Sequence, residues 1–130
     1  MLSRMAHGAA PELDRLLDDP AFARAAAESV QALATPSRLR ILARLHDGPA
    51  SVGELAEAVG MEGSAVSHQL RLLRHLGLVV GERDGRQVVY ELYDDHVAEL
   101  LEQVVSHVEH VRRELSGRRA GAAAATGAAG

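Results

Sequence analysis

Residues 51–90 carry the pattern that most constrains the fold of this chain. Ser51, with a glutamate three residues later, has the spacing of a capping box and starts a short predicted helix over residues 52–59. The glycine-bearing turn at residues 60–63 separates this helix from a second one, predicted from about residue 64 to 76. Two short helices joined by a tight turn are the pattern of a helix-turn-helix.

Two runs of strand-forming residues follow the second helix, Leu78-Val79-Val80 and Val88-Val89-Tyr90. Asp84-Gly85 lies between them and favours a hairpin turn. The expected fold class is therefore mainly α with one β-hairpin, in the order of a winged helix-turn-helix.

The second helix and the hairpin tip carry side chains suited to DNA. Hydroxyl, imidazole, amide and guanidinium groups reach base edges and phosphates in a major groove, and arginines at a wing tip reach the phosphate backbone or the minor groove. A solvated helix face and a purely structural wing are the alternatives. The candidate DNA contacts are Ser64, Ser67, His68, Gln69, Arg71, Arg83 and Arg86.

A long amphipathic helix is predicted from Asp94, its N-cap, to Leu115, with Gly117 as the residue that ends it. Its apolar residues alternate at spacings of four and three, the repeat of a helix that packs on a partner helix. We expect a homodimer formed through the N- and C-terminal helices. The apolar positions are Val97, Leu101, Val104, Val108, Val111 and Leu115.

Polar residues beside this apolar stripe have the spacing of metal ligands. His107 and His110 are three residues apart and can reach one ion, whereas His96 lies eleven residues earlier, roughly 16 Å along the axis. An antiparallel pair of helices crossing near Glu102 would bring Asp94 and His96 of one chain beside His107 and His110 of the other. Two-fold symmetry then gives two equivalent sites, suited to zinc, cobalt or nickel. The alternative is a set of solvated residues beside a dimer seam.

The amino-acid composition excludes several classes of protein function. The chain has no cysteine, which excludes disulfides and thiolate chemistry, and its net charge of −4 argues against nonspecific coating of nucleic acid. No apolar run approaches the length of a membrane span, so we expect a cytoplasmic protein. We divide it into a flexible arm at residues 1–17, a dimerising winged-helix domain at 18–117 and a disordered Ala/Gly tail at 118–130.

The chain resembles the ArsR/SmtB family of winged-helix metal sensors. The residues that carry the resemblance are residues 33–42 (LATPSRLRIL), residues 64–70 (SAVSHQL) and the wing through Tyr90. The resemblance implies a homodimeric repressor that holds an inverted-repeat operator when metal-free and releases it when metal binds. Its C-terminal-helix metal site matches Asp94, His96, His107 and His110.

Within that family the chain is most similar to NmtR-like nickel and cobalt sensors, which begin with a small residue followed by histidine. Met5-Ala6-His7-Gly8 resembles that start, which makes His7 a candidate ligand that ranks after the four residues of the long helix. A site with more than four ligands suits nickel or cobalt better than zinc.

Four other functions remain open at this point. A zinc-responsive repressor would use the same four residues, and a winged-helix regulator without metal input would leave the histidines as surface groups. A metal hydrolase is disfavoured because all four ligands come from the protein and no general base is evident. A helix-only interaction module would not bind an operator. We expect no enzymatic activity, no small organic substrate and no membrane partner.

Overall fold

The computed structural model of the chain describes residues 13–129, with side chains described through residue 125. Residues 1–12 of the predicted N-terminal arm (residues 1–17), and His7 with them, lie outside the described residues. The chain divides into two compact units after Thr35, a boundary that the sequence did not indicate. None of the described helices is long and apolar enough to cross a membrane.

The elements follow one another in this order: α1 (Asp14–Asp18), α2 (Pro20–Gln31), α3 (Pro36–His46), β1 (Ala50–Ser51), α4 (Val52–Val59), α5 (Gly63–His75), β2 (Val79–Asp84), β3 (Gln87–Leu92) and α6 (Asp95–Ala129).

The first unit contains α1 and α2. Asp19 caps α2, because its Oδ1 accepts a hydrogen bond of 3.1 Å from the Phe22 amide and Pro20 takes the first helical position. The Arg15 guanidinium lies 4.0 Å from the centre of the Phe22 ring. This local pairing joins the end of α1 to the start of α2.

The core of the second unit is aliphatic and lies among α3, α4 and α5. Its largest fully buried side chains are Ile41, Leu42, Leu55, Val66, Leu70, Leu73 and Val79. Burying one such side chain contributes about 1.5–3 kcal/mol, so these residues fix how the two helices of the helix-turn-helix pack. The predicted winged helix-turn-helix is confirmed, and α4 has the bounds that the sequence predicted.

The capping box at the start of α4 is also confirmed. The Glu54 amide donates to Ser51 Oγ at 3.2 Å, and the Ser51 amide donates to Glu54 Oε1 at 3.0 Å. The hydrogen bond from the Ser51 backbone and the contact with its side chain lower the pKa of the Glu54 carboxyl. At the other end, Gly60 takes the left-handed conformation with φ of 67°, which turns the chain toward α5.

The three strands form an antiparallel sheet in the order β1-β3-β2. The sequence missed β1, which pairs with β3 through Ala50 and Tyr90, because two residues are too short to show an alternating pattern. In the hairpin, Glu82 and Asp84 point to one face, whereas Gly81 and Arg83 share the other face with Tyr90. The outer strand β2 has no neighbour on its far side within the described sheet.

The last helix, α6, is longer than predicted. Asp94 caps it as expected, but Gly117 does not end it, and the helix continues to Ala129. Gly117 is not among the residues with positive φ, so the prediction that it terminates the helix is wrong. The physical reason is that no proline follows, and the alanines beyond it have the highest helix propensity, so the segment stays helical despite three glycines that cost about 1 kcal/mol each. Residues 118–129, predicted to be disordered, are thus helical.

Candidate metal-binding helix and DNA interface

The first turn of α6 joins two candidate ligands. Asp94 Oδ1 accepts the amides of His96 and Val97 at 3.0 and 3.3 Å, which satisfies two donors at the helix start. Asp94 Oδ2 lies 3.3 Å from His96 Nδ1. The side chains of Asp94 and His96 are 41% and 90% exposed. One oxygen therefore holds the helix end, while the other forms an oxygen–nitrogen pair open to solvent.

This contact shifts both titrations. The hydrogen bond with His96 is the main cause that lowers the pKa of the Asp94 carboxyl. The same hydrogen bond, followed by the charge of Asp94, raises the pKa of the His96 imidazole. Each group thus favours the charged form of the other.

The second pair of candidate ligands lies further along the helix. His107 and His110 are both exposed, and His110 Nε2 lies 3.6 Å from Glu114 Oε1. Within the part of the chain that the structure describes, no three His, Asp or Glu side chains approach closely enough to hold one ion. A single chain therefore presents two separate donor pairs, about 16 Å apart along the axis for His96 and His107.

The apolar stripe of α6 is covered only at its beginning. Val97 and Leu101 are 6% and 7% exposed, whereas Val104, Val108 and Leu115 are 36%, 48% and 47% exposed. Most of the seven-residue repeat therefore remains uncovered in the single chain, as expected for a helix that pairs with another helix.

The candidate DNA contacts on α5 fall into two groups. Ser64, His68 and Arg71 are exposed and share one side of the helix with the partly buried Ser67. Gln69 lies about 100° round the helix axis from His68 and further from the other three. Its Nε2 donates to Ser37 Oγ at 3.0 Å, and Ser37 Oγ lies 3.3 Å from its Oε1. Gln69 is thus held against α3 rather than turned outward with the others.

The wing presents both of its candidate arginines to solvent. Arg86 lies in the two-residue turn with Gly85, whose φ is 66°, and Arg83 lies two residues before that turn. Both side chains are exposed. Because Glu82 and Asp84 point to the opposite face from Arg83, the positive charge of the strand is confined to the face that carries Tyr90.

Two contacts near this site were not predicted from the sequence. Ser37 bonds Gln69 across 32 residues, and His46 Nε2 lies 3.1 Å from Glu102 Oε1 across 56 residues. Sequence spacing carries no information about either pair, since each partner lies on a different helix.

Comparisons with known proteins identify the family. A family model described as "Bacterial regulatory protein, arsR family" matches residues 35–80. Over 102 residues the chain is 61% identical to the HTH-type transcriptional regulator NmtR of Mycobacterium tuberculosis, covering 78% of this chain and 84% of that protein. The chain belongs to the ArsR family.

Other members of the ArsR family extend the likeness. A transcriptional repressor SmtB homolog of Synechocystis is 47% identical over 83 residues, which cover 64% of this chain and 63% of that protein. The solution structure of apo-NmtR covers 71% of this chain and 77% of its own, with 62% identity and a TM-score of 0.61.

A homodimeric winged helix-turn-helix DNA-binding domain from Mycobacterium bovis covers 80% of this chain and 94% of its own, with 33% identity and a TM-score of 0.68. This ArsR-family chain is therefore a winged-helix transcriptional regulator, and the relatives named here are regulators rather than enzymes.

Proposed function

We propose that this chain is a homodimeric repressor that holds operator DNA when cation-free and releases it when nickel or cobalt binds. The observation that carries the proposal is the arrangement of α6, where two donor pairs flank an uncovered apolar stripe about 16 Å apart. An antiparallel second copy would cover the stripe and join the two pairs.

The proposed ligands fit a divalent cation by their chemistry. Three imidazoles and a carboxylate are nitrogen and oxygen donors that zinc, cobalt and nickel accept, and the chain has no thiolate. Asp94 can offer Oδ2 while its Oδ1 keeps the helix cap. When bound, the cation would supply a link between the two α6 helices. The ligands would be Asp94 and His96 of one copy with His107 and His110 of the other.

Nickel and cobalt are proposed ahead of zinc because of the identity to NmtR and because His7 offers a further imidazole. His7 lies outside the described residues. Its participation would raise the ligand number above four, which nickel accepts readily and structural zinc seldom does. The zinc-responsive repressor is the second candidate, since the same four donors would serve it.

DNA binding is proposed for one side of α5 and for the wing tip. The recognition helices of the dimer would read two half-sites about 34 Å apart on an inverted repeat. Gln69 is proposed as a residue that positions α5, because Ser37 holds its amide. The proposed direct contacts are Ser64, Ser67, His68, Arg71, Arg83 and Arg86.

The test of this function measures DNA affinity with and without cation. The probe is a labelled duplex enriched from random sequence by the cation-free protein, and its affinity is read by fluorescence anisotropy before and after nickel chloride is added. We expect affinity to fall by about 5- to 150-fold, the usual range of such coupling. An unchanged affinity would leave a winged-helix regulator without metal input.

Two variants make the test specific. His107→Ala should still bind the duplex but lose both the cation and the nickel-dependent release. His75→Ala removes an exposed histidine from α5 and should keep one cation per chain. Equal cation loss in both variants would contradict the proposed site.

The cobalt absorption spectrum separates the two candidate functions. Four-coordinate cobalt absorbs strongly in the visible range, whereas five or six ligands give weak bands. We expect weak bands in the full chain and strong bands in His7→Ala. Strong bands in both proteins would favour the zinc-responsive repressor.

A further inference from the structure

Helix α3 is bonded by side chains to another helix at each of its ends. Near its first residue, Ser37 Oγ accepts a hydrogen bond of 3.0 Å from Gln69 Nε2 on α5. At its last residue, His46 Nε2 lies 3.1 Å from Glu102 Oε1 on α6. One helix thus connects the helix of the proposed cation ligands to the helix of the proposed DNA contacts.

The body of α3 is suited to transmit a displacement. Ile41, Leu42 and Leu45 are 0%, 0% and 2% exposed, so the middle of the helix is fully packed. Close-packed interiors have low compressibility and transmit strain. A helix packed in this way would carry a movement at His46 along its length toward Ser37.

Glu102 lies where α6 separates from the rest of its unit. Leu101 is 7% exposed, and beyond it none of the described side chains of α6 is buried. A groove of about 370 Å³ lies there, lined by residues of α3 and α6 that include Ala43, Val105 and Glu109. His46 and Glu102 both line this groove, so their contact joins α3 to α6 across it.

Glu102 also lies away from the apolar stripe. At about 100° per residue it lies some 160° round the helix from Val104. Its side chain is 59% exposed, and that of His46 is 41% exposed. Replacing either residue should therefore leave the helix seam and the core unchanged.

We propose that α3 relays the orientation of α6 to α5, with the His46–Glu102 and Ser37–Gln69 contacts as its two ends. These four are positioning residues, which touch neither the cation nor DNA. The proposal rests on the proposed function, because a relay matters only if cation binding and DNA binding are coupled.

The test measures one quantity, the ratio of duplex dissociation constants with and without nickel chloride. Glu102→Ala and His46→Ala should each lower this ratio by about two- to fivefold, the size of one exposed side-chain contact. Nickel affinity in the absence of DNA and the dimer dissociation constant should both stay within about 1.5-fold of the wild type. A role confined to stability would change the unfolding temperature and leave the ratio unchanged.

Two matched variants accompany these changes. Glu109→Ala removes an exposed carboxylate from the same helix and groove and should keep the wild-type ratio, because Glu109 Oε2 accepts a hydrogen bond of 3.3 Å from Arg113 on α6 itself. Glu102→Gln retains an oxygen that accepts a hydrogen bond from His46, so its ratio should stay close to that of the wild type.

A double-variant cycle tests whether the two contacts belong to one relay. Ser37→Ala should lower the ratio, and the combined Ser37→Ala/Glu102→Ala protein should lose no more than the larger single variant. Losses that multiply would overturn the relay, as would a wild-type ratio in both Glu102→Ala and His46→Ala. A ratio of one in the wild-type protein would instead defeat the proposed function, and the relay with it.

Discussion

Val108 provides a quantitative test of the proposed dimer. Val108 is 48% exposed in the single chain. Burying a valine completely contributes about 1.5–3 kcal/mol, so covering the exposed half contributes about 1 kcal/mol per chain. A two-fold interface uses each position twice, which gives about 2 kcal/mol per dimer. Val108→Ser should lose most of this and weaken the dimer by up to about 30-fold.

Sedimentation equilibrium in a chelating buffer measures that change. The matched variant is Glu109→Ser, since residue 109 is also exposed but lies about 100° round the helix from residue 108. It should dissociate like the wild type. A dimer constant for Val108→Ser within about threefold of the wild type would refute the assignment of the stripe as the seam.

The same variant tests whether the cation site is shared between chains. Val108→Ser keeps all four proposed ligands, so nickel uptake should fall only as the dimer population falls with dilution. Full uptake by a monomeric variant would show that a single chain can hold the cation, contrary to the separation of the two donor pairs.

Three further predictions concern local contacts. Asp94→Asn should lower the pKa of His96 toward its ordinary value, read from the imidazole proton shifts in an NMR titration. In the unmodified chain the pair should stabilise the fold only between the two shifted pKa values, because acid protonates Asp94 and base deprotonates His96. Ser51→Ala removes one half of the capping box and should cost about 1 kcal/mol in urea unfolding, and no loss would contradict the role of the cap. Gly81→Ala places a Cβ 2.9 Å from Tyr90 Cε1 and should destabilise the wing by about 1 kcal/mol, so an equally stable protein would mean that the ring moves freely.

The sequence predicted the elements whose causes are local. The Ser51 capping box, the glycine turn after α4 and the Asp84-Gly85 hairpin each lie within a few residues, and their spacing determines the structure they form. The Asp94 cap was predictable for the same reason, because its oxygen bonds amides two and three residues later.

Features that depend on distant residues were not predictable. Nothing near Ala50 indicates β1, since that strand exists only through its pairing with β3. The end of α6 differs from the prediction because a glycine and the loss of the apolar stripe indicate a stop at residue 117, whereas the helix propensity of the alanines that follow continues the helix. The hydrogen bond from Gln69 to Ser37 is another such feature, because Ser37 lies on a different helix and the position of Gln69 on α5 gives no sign of it.

The open edge of β2 has a consequence for how the wing is studied. An unpaired strand is a template on which another chain can add a strand, and charged side chains along it discourage such growth. Glu82, Arg83 and Asp84 provide those charges here. Arg83 therefore discourages strand addition at this edge and is also a proposed DNA contact. An apolar replacement at this position would confuse weak DNA binding with aggregation, whereas Arg83→Gln keeps the edge polar and isolates the loss of charge.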